Sequence, residues 1–315
     1  MKLRVVVPEV PSPDEPGSGG YRYDVNLTAA LCELGHDARL CSEPEPGAIH
    51  LFDGLGAETW ADQLSSLDGL KVALMHLPAS VLDDRLSTHA AETALLAGCD
   101  AVHFVSARAA ADTRRRHSSL PPSWVALPGI DHFTPAPRAR ERRLVSIGHV
   151  TPNKGVLEAL DLVSGLEGSW HLDWLGALDV EPTFAKDAIA FRDSLGLTDR
   201  VTFHGRVPLS VVAQTLARAS AFVATSGYES WGLALAEALR AGVPLIGPTS
   251  AGVIDFLGGR GARSTDARAW LTHLLDDDDE GQRLRAEATD AGQALPTWAA
   301  CAETTARELE AACAR

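Results

Sequence analysis

Short apolar runs alternate along this chain with longer segments in which apolar residues return every three or four positions. Runs such as LRVVV, KVALM and AVHF have strand length and strand composition, and the segments between them carry a helical period. That rhythm predicts βαβ units around parallel sheets, an α/β fold. In the first half the pattern places strands near 3–7, 38–41, 48–52, 71–75, 101–105 and 123–127, with helices near 20–35, 57–67, 85–97 and 106–117. In the second half strands fall near 143–148, 170–175, 200–204, 220–224 and 243–247. Helices there fall near 154–165, 184–195, 208–218, 231–241 and 265–275, and two more close the chain near 281–294 and 297–313.

Between the halves, LPGIDHFTPAPRARERR breaks both periods with Pro128, Gly129, Pro135 and Pro137 and then runs into charge, as a linker does. The 315 residues therefore divide into two doubly wound domains, 1–137 and 138–296, with a C-terminal helix over 297–315 placed to pack back on the first domain.

Composition narrows the function classes. With 45% hydrophobic and 22% charged residues the chain reads as water-soluble and globular. No apolar run approaches the roughly 20 residues that span a bilayer. The N-terminal MKLRVVVPEV meets Pro8 and Glu9 too early for a secretory leader and reads as a first strand. Five scattered cysteines (Cys32, Cys41, Cys99, Cys301, Cys313) without a C-x-x-C pair argue against disulfides or zinc and suit a cytoplasmic location. A formal net charge of −14 disfavours nucleic acid and anionic membranes as partners. The basic knot Arg114, Arg115, Arg116, His117 reads as a solvated helix end favoured by the helix dipole, with membrane contact the less favoured alternative. The acidic run Asp276–Glu280 contains a formal D-x-D, but it lies between two predicted helices without a flanking strand and reads as a solvated junction. No metal or other cofactor is expected.

The densest chemistry is in TSGYESWGLALAEALRAGVPLIG. A strand enters a Ser/Gly loop, and a helix starts near Trp231. Glu229 precedes that helix and Glu237 lies about two turns in, so the two carboxylates bracket the helix start. Between them Ser230, Trp231, Gly232 and Leu233 offer amides that a helix N-terminus leaves unpaired, which suit a phosphate. Carboxylates accept strong hydrogen bonds from sugar hydroxyls. Taken alone, the pair is better explained by a helix-capping Glu followed by a solvent-facing Glu.

This segment resembles the E-x7-E signature of the retaining GT-B glycosyltransferases, specifically family 4, and AGVPLIGPTSAGVIDFL resembles the family's continuation. The resemblance implies two Rossmann-like domains facing a central cleft. It also implies that Glu229 contacts hydroxyls of the donor sugar and that Glu237 holds the ribose. IGHVTPNKGV is similar to a second family segment, with Lys154 at the lysine that meets the diphosphate and His149 where the family has an arginine. The loop PEVPSPDEPGSGGYRYD fails the G-x-G-x-x-G pattern, because Arg22 stands at the last glycine. It resembles instead the family's glycine loop, whose Gly19 and Gly20 would face donor phosphate and acceptor. His76, at the end of the strand in KVALMHLP, stands where open α/β sheets place ligands, and in the family a comparable histidine approaches the donor sugar. Arg206, in the turn HGRVPLS, lies where a base packs in relatives.

The implied activity is transfer of a sugar from a UDP- or GDP-linked donor to a hydroxyl acceptor, a small molecule or a glycan, with retention of configuration and without metal. No carboxylate in these motifs is placed as a nucleophile, so the family's front-face substitution is the expected route. Alternatives are a GT-B sugar phosphorylase or epimerase, and a weakly catalytic nucleotide-sugar-binding partner subunit.

Overall fold

The computed structural model describes residues 1–10, 18–61, 63–78, 81, 86–130 and 142–315. Gly17, most of the proline-rich linker and the expected domain border at 137/138 lie outside the described residues. The chain divides into two compact units, one of Met1–Gly129 with Pro296–Arg315 and one of Ile130–Leu295.

Unit 1 is built on strands β1 (Lys2–Val6), β2 (Asp37–Cys41), β3 (Ile49–Asp53), β4 (Lys71–Met75), β5 (Ala101–Phe104) and β6 (Ser123–Val125), in the order β2-β1-β3-β4-β5-β6. Every pairing is parallel. Near-continuous apolar strands buried on both faces are what a parallel sheet requires. Between them run helices α1 (Gly19–Glu33), α2 (Ala57–Trp60), α3 (Leu86–Gly98) and α4 (Ala107–Arg116). The helix expected over 57–67 is reduced to α2 and a single 3-10 turn at Leu64–Ser66. Ser106 caps α4 by accepting from the Ala109 amide at 3.0 Å, and Arg114, Arg115 and Arg116 close its last turn. Arg114 is engaged with Ser123 Oγ at 3.0 Å, and Arg115 with Asp112.

Unit 2 carries β7 (Arg143–Ile147), β8 (His171–Leu175), β9 (Val201–Phe203), β10 (Ala221–Val223), β11 (Leu245–Ile246) and β12 (Ala262–Arg263), in the order β12-β11-β10-β7-β8-β9. Counted from its own first strand this is the order 3-2-1-4-5-6 of dinucleotide-binding domains. The helices are α5 (Val156–Ser164), α6 (Pro182–Ser194), α7 (Leu209–Arg218), α8 (Leu233–Arg240), α9 (Gly252–Phe256), α10 (Ala267–Asp276) and α11 (Asp279–Gln293). Two elements carry no sequence signal, α9 and β12, because five and two residues are too short to show a period.

The last helix, α12 (Trp298–Cys313), belongs to unit 1, where Trp298, Cys301, Ala302 and Leu309 join the core formed by Leu3, Leu27, Leu51 and Val72. Gly129 permits this. A Cβ there would lie 2.0 Å from the Trp298 backbone nitrogen, so the residue that reads as a linker break also seats the start of α12.

The acidic run resolves into ordinary helix-end chemistry. Asp276 pairs with Arg142 at 2.8 Å and Asp277 with Arg285, while Asp278 caps α11 by accepting from the Gly281 amide at 3.0 Å. No helix among the described residues is long and apolar enough to cross a membrane, and none of the five cysteines is in a disulfide.

Candidate functional site

A doubly wound sheet opens a crevice where its strand order reverses, because the loops leaving the two central strands diverge to opposite faces. In unit 2 those strands are β7 and β10. The loop after β7 carries His149 and Lys154, and the loop after β10 carries Glu229 through Leu233. Topology alone therefore brings together two motifs that are 75 residues apart in sequence.

Local contacts lock the two loops to each other. Gly155 has φ 64°, and a Cβ on it would stand 2.0 Å from the Thr225 carbonyl oxygen. The Gly227 amide donates to the Asn153 carbonyl at 3.0 Å. Lys154 Nζ consequently reaches Glu229 Oε1 at 2.5 Å, with the two side chains 24% and 19% exposed. This is an ion pair at the rim of the protein, within reach of solvent and of a ligand.

The loop after β11 straps the other side. The Glu229 amide donates to the Ser250 carbonyl at 3.2 Å, the Gly252 amide to the Glu229 carbonyl at 3.2 Å, and the Val253 amide to the Trp231 carbonyl at 2.9 Å. A Cβ on Gly252 would lie 2.1 Å from the Ser230 carbonyl oxygen, so this approach also needs glycine. The chain then enters α8 through Gly232, whose φ of 88° only glycine adopts readily. Among the described residues the amides of Trp231, Gly232 and Leu233 donate to no carbonyl. A helix start left in this state presents donors and a positive dipole end to an anion.

Glu237 lies one turn further along α8 and is fully buried. The solvent-facing alternative for this residue is thereby removed, and a buried carboxylate needs partners. Trp231 is 3% exposed, packs on Phe256 with ring centroids 5.8 Å apart, and has its indole Nε1 buried without a partner.

His149 stands on the β8 side of the same crevice. Its pKa is pulled below the ordinary histidine value, by burial first and then by the charges of Arg206 and Lys154, so the imidazole is neutral at pH 7. Its Nδ1 is buried without a partner. Arg206 pairs with Asp179 at 3.1 Å in an exposed turn, next to the bridge in which the Gly176 amide donates to the Gly205 carbonyl at 2.9 Å. Unit 2 thus gathers Lys154 and Glu229 into direct contact, with His149 close enough to Lys154 and Arg206 for their charges to act on it.

Unit 1 places the remaining predicted residues at the C-terminal end of its own sheet, where the order reverses between β1 and β3. Gly19 and Gly20 form the first turn of α1, and a Cβ on Gly20 would lie 3.4 Å from His76 Cδ2. His76 follows β4 and is 4% exposed. Its partners escaped the motif reading. Nε2 lies 3.0 Å from Asp24 Oδ1 and 3.9 Å from Asp53 Oδ1. The signal for Asp24 is present in the sequence: with Leu27 and Leu31 it shares the buried face of α1, where a charge is out of place unless paired. Ligand atoms of Asp24, Asp53 and His76 lie within 4.8 Å of one another, the one group among the described residues with the reach to hold a metal ion. Nε2, the nitrogen a metal would need, is already hydrogen-bonded to Asp24.

Residues 130–258 match the family model of Glycosyl transferases group 1. A lipopolysaccharide 1,6-galactosyltransferase of Escherichia coli (strain K12) is 30% identical over 121 residues, 37% of this chain and 33% of that protein, so the match spans about a third of the relative's length. Among solved structures, the sucrose-phosphate synthase from Thermosynechococcus elongatus superposes with a TM-score of 0.83 at 17% identity, covering 99% of this chain and 98% of that one. The Anabaena protein HepE in complex with UDP and glucose gives 0.80 at 14% identity, covering 98% and 99%. The fold of two parallel-sheet α/β units is the GT-B fold of these structures, and the stretch 130–258, which holds both the Lys154 and the Glu229 loops, is similar to the Glycosyl transferases group 1 domain.

Proposed function

We propose that this chain is a retaining glycosyltransferase of family 4 type that binds a nucleotide-diphosphate sugar in unit 2 and transfers the sugar, without a metal ion, to a hydroxyl acceptor bound by unit 1. One observation carries this reading. The amides of Trp231–Leu233, which among the described residues donate to no backbone carbonyl outside the helices and strands, lie beside the Lys154–Glu229 ion pair, an arrangement that offers an anion site and a hydroxyl acceptor side by side. The diphosphate lies against the amides and Lys154. Glu229, released from part of its contact with Lys154, accepts from hydroxyls of the sugar, and Glu237 holds the ribose.

In the reaction a bond forms between the acceptor oxygen and the anomeric carbon on the face from which the diphosphate leaves. The anomeric C–O bond breaks, its electron pair goes to the diphosphate, and the diphosphate takes the acceptor's proton. Stabilisation of that charge is the main catalytic contribution, supplied by Lys154, the helix-start amides and a hydrogen bond from neutral His149. The HepE complex with UDP and glucose supports UDP as the first nucleotide to try.

Thermal-shift measurements with UDP, GDP, TDP, ADP and their sugars, with and without EDTA, test this. One nucleotide is expected to raise Tm, chelation to change nothing, and Glu237→Ala to abolish the shift. Equal melting temperatures across the set would contradict it. A second reading, a nucleotide-sugar-binding partner with little activity of its own, is favoured by one observation, the uncharged His149 in place of arginine. Tight nucleotide binding with no product from a panel of acceptors would select it.

A further inference from the structure

The cluster around His76 is built to hold one imidazole in one orientation. Asp24 arrives from the second turn of α1, Asp53 is the last residue of β3, and His76 directly follows β4. All three are at least nine-tenths buried. Asp53 is fixed by the Leu55 amide, which donates to Oδ1 at 2.9 Å. The Tyr23 ring stands edge-on to the imidazole at 5.3 Å, and its hydroxyl is held in turn by His103 Nε2 at 2.8 Å and the Ala126 carbonyl at 3.0 Å. Gly20 lies against the ring edge, where a Cβ would stand 3.4 Å from Cδ2. Among the described residues the imidazole makes a single hydrogen bond, Nε2 to Asp24, and Asp24 keeps its other oxygen, Oδ2, buried without a partner.

We propose that Asp24 is a positioning residue acting through His76: it accepts a hydrogen bond from Nε2–H, orients the ring, and leaves Nδ1 as the nitrogen presented to an oxygen of the substrate. This deepens the glycosyltransferase reading and rests on it. A carboxylate behind an imidazole fixes its tautomer and stabilises its charged form, as an orienting group does for a catalytic histidine. Burial opposes protonation of His76, and the charges of Asp24 and Asp53 outweigh it, carrying the pKa up to about 9. The other groups facing the ring do not compete. Burial and the His76 charge hold His103 neutral with a pKa of about 3, and burial pushes both the Tyr23 hydroxyl and the Cys301 thiol beyond it upward. At neutral pH His76 is therefore an imidazolium whose Nδ1–H makes a charge-assisted bond to an oxygen of the acceptor proposed to bind unit 1, roughly twice as strong as a neutral one.

The first test needs no substrate. Long-range proton–nitrogen spectra of the uniformly labelled full chain, with His76→Gln to assign the resonance, read each ring nitrogen across pH 6 to 10. The expected result is a proton on both nitrogens at pH 7, loss of the Nδ1 proton near pH 9, and an Nε2 proton that persists. Asp24→Asn is expected to bring the titration down by at least one pH unit. A wild-type His76 that titrates at the ordinary histidine value, or one that loses its Nε2 proton on addition of Zn²⁺ or Mn²⁺, would overturn the proposal and in the second case make the cluster a metal site.

The second test separates this idea from the proposed function. If Asp24→Asn retains the UDP thermal shift, loses at least tenfold in kcat with less than threefold change in donor KM, and moves the alkaline limb of its pH–rate profile downward, the positioning role stands. A kcat and pH profile equal to wild type would refute it. Absence of nucleotide binding by the wild type would refute the glycosyltransferase reading while leaving the spectra to decide the Asp24–His76 geometry.

Discussion

Each unit ends its sheet in a contact between a cation and a carboxylate, and the two contacts are built on opposite terms. Lys154 and Glu229 meet at 2.5 Å with side chains 24% and 19% exposed, while His76 and Asp24 meet at 3.0 Å with 5% and 0% exposed. A pair that water can reach exchanges partners at little cost, so a ligand can enter between its members. A buried pair cannot, because separating it leaves an uncompensated charge in the interior. The first contact is thus suited to binding and the second to holding geometry. The same chemical vocabulary serves two purposes, and burial decides which.

Substitutions break this comparison at different points. The largest effect is expected for Lys154→Ala, which removes the exchangeable cation: turnover should fall by roughly a hundredfold to a thousandfold, the range for loss of one charge-stabilising donor. The melting temperature should barely move, and steady-state kinetics beside a thermal melt check both. Next comes Gly155→Ala. Its Cβ would meet the Thr225 carbonyl at 2.0 Å from a left-handed backbone, so the loop that aims Lys154 must shift. A stability loss of roughly 2–4 kcal/mol is expected from denaturant unfolding, with activity falling in parallel.

The buried pair is exposed by pH. Because His76 is raised from 6.5 to about 9, its contribution is present in full below about 6.5 and is lost as pH rises through about 9. Melting temperature should drop by several degrees over that window, roughly what a few kcal/mol does to a unit of this size. The drop should be much smaller in His76→Gln. Asp53, raised from 3.8 to about 6 chiefly by burial, acts in the same direction at the acid end: the stability that its protonation contributes is present in full below about 3.8 and is lost as pH rises through about 6. The smallest effect is expected for Arg206→Ala. Its ion pair with Asp179 is exposed, so stability should change by no more than about 0.5 kcal/mol. Donor affinity should weaken by less than about tenfold, a distinction that calorimetry resolves.

The fold was legible in the sequence wherever an element was long enough to show a period. The parallel strands read as continuous apolar runs because both of their faces are covered, whereas α9 and β12 gave no period to read. In the candidate site, Lys154 and Glu229 were legible because their two segments carry the family resemblance, and the fold brings these two residues into contact. Asp24 and Asp53 could not be found by motif. Asp24 lies inside an ordinary amphipathic helix, and its partner is 52 residues away, a distance that only the folded sheet closes. Position 24 on the apolar face of α1 was the available clue. Glu237 shows the limit of spacing from the other side: its eight-residue offset from Glu229 does not tell a solvent-facing residue from a buried one, and the fold buries it.

The central claim is that the α8 start and Lys154 together form a diphosphate site. Calorimetric titration of UDP and of uridine into the wild type and Lys154→Ala tests it most directly. UDP should bind the wild type far more tightly than uridine, and Lys154→Ala should weaken UDP at least tenfold while leaving uridine unchanged. Equal affinity of the wild type for UDP and uridine, or an unchanged UDP affinity in Lys154→Ala, would contradict the account.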